Sequence, residues 1–154
     1  MRDTILFGDC RQTLKEFDEQ ARMCVTSPPY YGLRDYGGED SQIGQEQTPD
    51  EFIDQLVNVF KEVRNVLTDD GTCWVNLGDS YYNYRPGKGQ GLPRQTVANT
   101  KQDLPDVCPR RGNRIEGLKE KDLIGIPWLF AFAMRADGWY LRQDIIWHKP
   151  NPMP

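Results

Sequence analysis

A short apolar run that stops on two prolines constrains this chain more than any other stretch. Met23-Cys24-Val25 reads as a buried strand of a parallel sheet, and Ser27-Pro28-Pro29-Tyr30 follows within two residues. Neither proline can donate to a ladder, so the strand must end there. Each also biases the residue before it towards extended backbone, which holds the Ser27 and Pro28 carbonyls outward as fixed acceptors. Tyr31, Arg34 and Tyr36 crowd in directly behind. A polar side chain, rigid backbone and clustered rings thus meet just past a strand's carboxyl end, where open α/β sheets bind ligands. A proline pair after a strand is also an ordinary turn, with Tyr30 and Tyr31 as packing. The order of elements around it decides between the two.

That order is strand and helix in alternation. Thr4-Ile5-Leu6-Phe7 reads as a first strand closed by Gly8-Asp9-Cys10, with a short helix over Arg11 to Phe17. Thr48 is placed to cap a second helix, with Pro49 at its first position and Asp50 and Glu51 in its first turn. Phe52, Leu56, Val59, Phe60, Val63 and Leu67 then recur at helical spacing, and Asp69-Asp70-Gly71 reads as its stop. Thr72 to Leu77 is a second strand, ending in Gly78-Asp79. Strand, helix and strand of this length make one βαβ unit. It brings Asp79 near Ser27 on one sheet edge, where it could help form a pocket. Lys121 to about Ala136 reads as a helix with Ile126, Leu129, Phe130 and Ala133 on its apolar face. Trp139 to Lys149 reads as a third clear strand with Leu141, Ile145, Ile146 and Trp147 in the core. The fold class is α/β.

Composition narrows the function. The 154 residues suffice for one domain with a real core. No apolar run reaches membrane-spanning length and no signal peptide is visible, so a cytoplasmic protein with no membrane partner is expected. Cys10, Cys24, Cys73 and Cys108 show no metal-like spacing and read as reduced thiols; no metal is expected. The net charge of −4 is unevenly spread. Residues 85–121 carry nine Lys/Arg against four Asp/Glu, and the remainder carries ten against nineteen. Such a basic stretch is an electrostatic footprint for nucleic acid or a solvated loop. Within it, Pro86 to Gly91 contains a GxGxG, but prolines bracket it and no strand or helix flanks it, so it is no nucleotide loop. Residues 31–48 form a long loop, the kind that carries function. In it Arg34 can meet a phosphate or pair with Asp35 or Asp40.

Ser27-Pro28-Pro29-Tyr30 resembles the catalytic motif of the DNA methyltransferases that modify exocyclic amines of bases with S-adenosylmethionine. The chemistry suits the residues. An aromatic amine is a poor nucleophile because its lone pair is delocalised into the ring. Acceptors aimed at its N–H bonds favour the tetrahedral nitrogen that develops during attack. Ser27 Oγ and the Pro28 carbonyl are the candidate acceptors, and Tyr30 offers a face on which a flipped base stacks. In the same family a Gly-Asp one strand earlier lies beside the cofactor's adenine. The resemblance therefore implies a cofactor contact for Asp9, which can equally cap the helix that follows it. It implies Ser27 near the cofactor as well. The tail from Gly138-Trp139-Tyr140 through Trp147-His148-Lys149 also resembles these enzymes, where it lies near the target base. Tyr31, Arg34, Arg110, Arg111, Arg114 and Lys149 are the candidate contacts to double-stranded DNA. His148 has no nucleophile to activate and reads as a polar strand-end residue.

Only 26 residues precede Ser27, too few for a Gly-rich cofactor loop upstream. The order resembles the permuted beta class of the family, in which catalytic motifs come first. The resemblance covers most of residues 4–154 except a variable, basic and flexible loop at about 83–118. No FxGxG-like segment follows. The expectation is a partial Rossmann-like methyltransferase sheet, mostly parallel with helices on both faces, incomplete because the recognition region, the Gly-rich loop and at least two strands are missing. The missing strands would lie between the first strand and the catalytic one, leaving an open edge. A second polypeptide or self-association would complete it, or the chain is a truncated, inactive DNA-binding or interaction fragment. Thr-Ser-Pro-Pro-Tyr leans towards the 4-amino group of cytosine over the 6-amino group of adenine.

Overall fold

The computed structural model describes residues 4–33, 42–82, 115 and 117–151. The elements run α1 (Cys10–Thr13), β1 (Ala21–Thr26), α2 (Pro49–Val66), β2 (Leu67–Val75) and α3 (Ile126–Ala136). β1 and β2 pair in parallel, with α2 as the crossover between them. The fold is a small α/β unit, a partial Rossmann-like sheet.

α2 begins where its sequence says it should. Thr48 Oγ1 accepts from the Glu51 N–H and the Glu51 carboxylate accepts from the Thr48 N–H, each at 3.2 Å. This reciprocal box satisfies two donors that the first turn leaves without helical partners. Phe52, Ile53, Leu56, Phe60 and Val63 form its buried stripe, beneath Cys24, Cys73, Val75 and Leu77 of the two strands and the segment after β2. α3 lies alongside, with the Phe130 ring edge-on to Phe60 at 5.1 Å. Asp137, just past α3, is clasped by Lys61 at 3.5 Å and Arg64 at 3.2 Å.

Several expectations change. Asp69-Asp70-Gly71 does not separate helix from strand. Ala21 pairs with Leu67 and Met23 with Thr72, so these residues form an excursion inside β2. Its tightness explains Gly71, where a Cβ would stand 2.8 Å from the Thr68 carbonyl oxygen. α3 starts at Ile126 rather than Lys121, because Lys121 to Ile124 instead pairs with residues 80–82. Its buried face is Ile126, Phe130 and Met134, and Leu129 is exposed. Thr4 to Phe7 and Trp139 to Lys149 form no strands; Ile5, Phe7, Ile145, Ile146 and Trp147 are all exposed. A strand exists only by pairing, and neither segment has a ladder partner among the described residues. β1 itself is buried on one face only: Met23 and Val25, with Trp74 of β2, are exposed. The second helical layer expected over that face has no counterpart among the described residues. No described helix is long and apolar enough to cross a membrane.

Candidate active site

β1 and β2 end side by side. The last rung is the Asn76 N–H donating to the Thr26 carbonyl at 2.9 Å. Ser27 and Pro29 are exposed while Pro28 and Tyr30 are half-buried, so the turn presents one edge to solvent and roots the other. Among the described residues nothing hydrogen-bonds Ser27 Oγ.

Two glycines set the position of the turn. A Cβ on Gly78 would come within 2.8 Å of Tyr30 Cε2 and 3.1 Å of Cδ2, so the ring lies on bare backbone past β2. At Gly44, φ is +98° and a Cβ would meet Pro29 Cβ and the Tyr30 carbonyl oxygen at 3.2 Å. That backbone conformation and that closeness both suit only glycine. The Gly32 N–H donates to the Gly44 carbonyl at 3.2 Å and the Leu33 N–H to the Tyr30 carbonyl at 3.3 Å. Ser80 Oγ donates to the Tyr31 carbonyl at 3.0 Å, tying the turn to the segment after β2.

The other candidate residues fall differently. Tyr31, expected at the DNA surface, is 8% exposed. Its ring packs against Phe52 at 5.4 Å and its hydroxyl donates to the Gln47 carbonyl. Tyr31 therefore anchors the turn in the core. Asp9 caps α1 by accepting from the Arg11 N–H at 2.9 Å, and it also pairs with the Arg11 guanidinium. Those hydrogen bonds hold its carboxyl below the ordinary carboxylate range. This cap is compatible with a cofactor contact by the same carboxylate, whose side chain stays 42% exposed. Lys149 is exposed in the tail. Arg34, Arg110, Arg111 and Arg114 lie outside the described residues, as does most of the basic stretch at 83–118.

Two further residues act as anchors, a role the sequence reading does not assign to them. Asp79, expected to help form the cofactor or base pocket, is engaged with backbone. Its carboxylate accepts from the Gly125 and Ile126 N–H groups at 3.0 Å and from the Ser80 N–H at 2.8 Å. It supplies the cap that α3 lacks, since Gly125 at the cap position has no side chain. The only available signal is that missing cap before Ile126-Pro127. Tyr82 is buried and clasps the two flanks of the basic stretch. Its N–H donates to the Asp122 carbonyl at 2.7 Å, its carbonyl accepts from the Lys121 N–H at 2.8 Å, and its hydroxyl accepts from the Ile115 N–H at 3.0 Å. Both anchors tie the segment at 79–82 to residues 115–126.

Comparison with known proteins yields one consistent answer. A family model described as DNA methylase matches residues 21–154. The type II methyltransferase M.Cfr9I of Citrobacter freundii is 48% identical over 98% of this chain and 48% of its own length. M.SmaI of Serratia marcescens is 47% identical over 97% of this chain and 49% of its own. M.SfiI of Streptomyces fimbriatus is 39% identical over 95% of this chain and 29% of its own. The chain spans about half the length of the first of these curated relatives. No solved structure matches it significantly.

Proposed function

This chain belongs to the DNA methylase family, and from that premise we propose that it is the catalytic-motif part of a single S-adenosylmethionine-dependent DNA amino-methyltransferase domain. The observation that carries the reading is the open Ser27 to Tyr30 turn past β1, with the Tyr30 ring seated on Gly78. The target is an exocyclic amine, the 4-amino group of cytosine or the 6-amino group of adenine. The relatives' type II designation supports a restriction-modification setting.

Ser27 Oγ and the Pro28 carbonyl accept the two N–H bonds of the target amine. Both hold the nitrogen as it turns tetrahedral, an interaction stronger in the transition state than in the ground state. Pro29 keeps the carbonyl of Pro28 extended and aimed. Tyr30 stacks on the flipped base. Arg34, Arg110, Arg111, Arg114 and Lys149 meet phosphates and set register without reading sequence. S-adenosylmethionine supplies the methyl group. Asp9, still partly exposed beside Arg11, would supply one contact to it, and no Gly-rich strand-to-helix turn stands among the described residues.

The test is to supply a polypeptide carrying the Gly-rich half and to measure methylation of mixed-sequence DNA. Ser27→Ala should lower turnover about 100-fold or more, near 3 kcal/mol, with cofactor affinity nearly unchanged. Full activity in that variant refutes the role of Ser27. The open sheet face favours a second reading, an inactive DNA-binding or interaction fragment. Calorimetric titration of S-adenosylmethionine into the chain alone separates the two.

A further inference from the structure

The strands that carry the candidate site also carry two thiols that its chemistry does not use. Cys24 and Cys73 are direct register partners across the ladder of β1 and β2. Neighbouring strands lie about 4.8 Å apart. A disulfide spans Cα separations of about 4.4–6.8 Å, so pairing needs no change of register. Both side chains face α2 at the half-buried margin of the core, where a small oxidant can reach them. Interaction between the two neighbouring thiols draws Cys24 down to about 7 and, together with burial, pushes Cys73 up. That direction favours Cys24 as the nucleophile. Cys10, by contrast, lies at the start of α1 with its thiol pushed up by burial.

We propose that Cys24 and Cys73 form a reversible dithiol–disulfide site that is oxidised by peroxide. The Cys24 thiolate attacks one oxygen of hydrogen peroxide; the S–O bond forms, the O–O bond breaks and hydroxide leaves. Cys73 then attacks the Cys24 sulfenic sulfur; the S–S bond forms, the S–O bond breaks, and the proton of Cys73 accompanies the departing oxygen. The two sulfurs together lose two electrons, and two waters form once the hydroxide is protonated. The bond would staple the two strands three residues before Ser27. It is independent of the methyl-transfer reading, because it needs neither cofactor nor DNA.

The test uses the whole chain, reduced and then exposed to hydrogen peroxide. Free thiols are alkylated and the digest is mapped by mass spectrometry. The expected product is a Cys24–Cys73 cross-linked peptide pair lacking two hydrogens, reversed by dithiothreitol. In Cys73→Ser, Cys24 should stop at the sulfenic acid and be trapped by dimedone. A Cys10→Ser, Cys108→Ser double variant should keep the cross-link, and it preserves the test should Cys73→Ser fold poorly. Oxidation that yields only intermolecular bonds, or Cys24 sulfinic acid with Cys73 still free, overturns the proposal.

Discussion

At the scale of the residue, the site rests on what Gly78 lacks. A Cβ there would overlap the Tyr30 ring, so Gly78→Ala must push the ring off its seat or shift the end of β2. In the completed enzyme the expected result is weakened engagement of the flipped base, read as fluorescence of 2-aminopurine at the target position. Adding Tyr30→Ala should make the Gly78 substitution silent; additive losses would show that Gly78 acts elsewhere. Asp79 makes a separate prediction. Its carboxylate holds three backbone N–H groups, so Asp79→Ala should cost about 1–2 kcal/mol in urea denaturation. Asp79→Asn, which keeps an acceptor, should cost less. Ser27 to Tyr30 was legible in sequence because a proline pair acts locally on its own backbone. The role of Asp79 was not, because its partners Gly125 and Ile126 are distant in sequence and its position on the sheet edge suggested a pocket instead.

At the scale of the element, α2 was the most legible part of the chain. Its cap, its proline and its apolar stripe are all encoded within a few residues of where they act. Thr48→Ala removes half of the capping box and should cost about 1 kcal/mol. The check is the midpoint of thermal or urea unfolding; an unchanged midpoint would mean that the Glu51 half alone suffices. The neighbouring boundary was misread for an equally physical reason. Thr68 to Gly71 has turn chemistry, and it does turn, but as an excursion within a strand whose ladder resumes at Thr72. Local residues dictate the turn, while only β1 dictates that the strand already began at Leu67. α3 shows the same division. Its apolar content is plain from sequence, yet its start depends on Lys121 to Ile124 pairing with residues 80–82.

At the scale of the molecule, the apolar surface is too large for what covers it. Met23, Val25 and Trp74 are exposed on one sheet face, and Trp128 and Phe132 on the outer side of α3. Ile5, Phe7, Ile146 and Trp147 are exposed in segments whose apolar pattern reads as strand. Such surfaces mark places where another chain segment packs, and unpaired strand backbone invites edge-to-edge association. The 154-residue polypeptide should therefore self-associate in a concentration-dependent way, measured by sedimentation velocity. Val25→Lys and Ile146→Lys should reduce that association without unfolding the chain, because both side chains are solvent-exposed, at 69% and 84%. A polypeptide carrying the Gly-rich half should compete with self-association and restore a single heterodimeric species. Pairing is the expected consequence because the strand pattern of 4–7 and 139–149 remains written in the sequence; among the described residues these segments have no ladder partner, and one can come from a second chain. A monodisperse monomer at tens of micromolar would show instead that this face tolerates water, and that the strand pattern carries no demand for a partner.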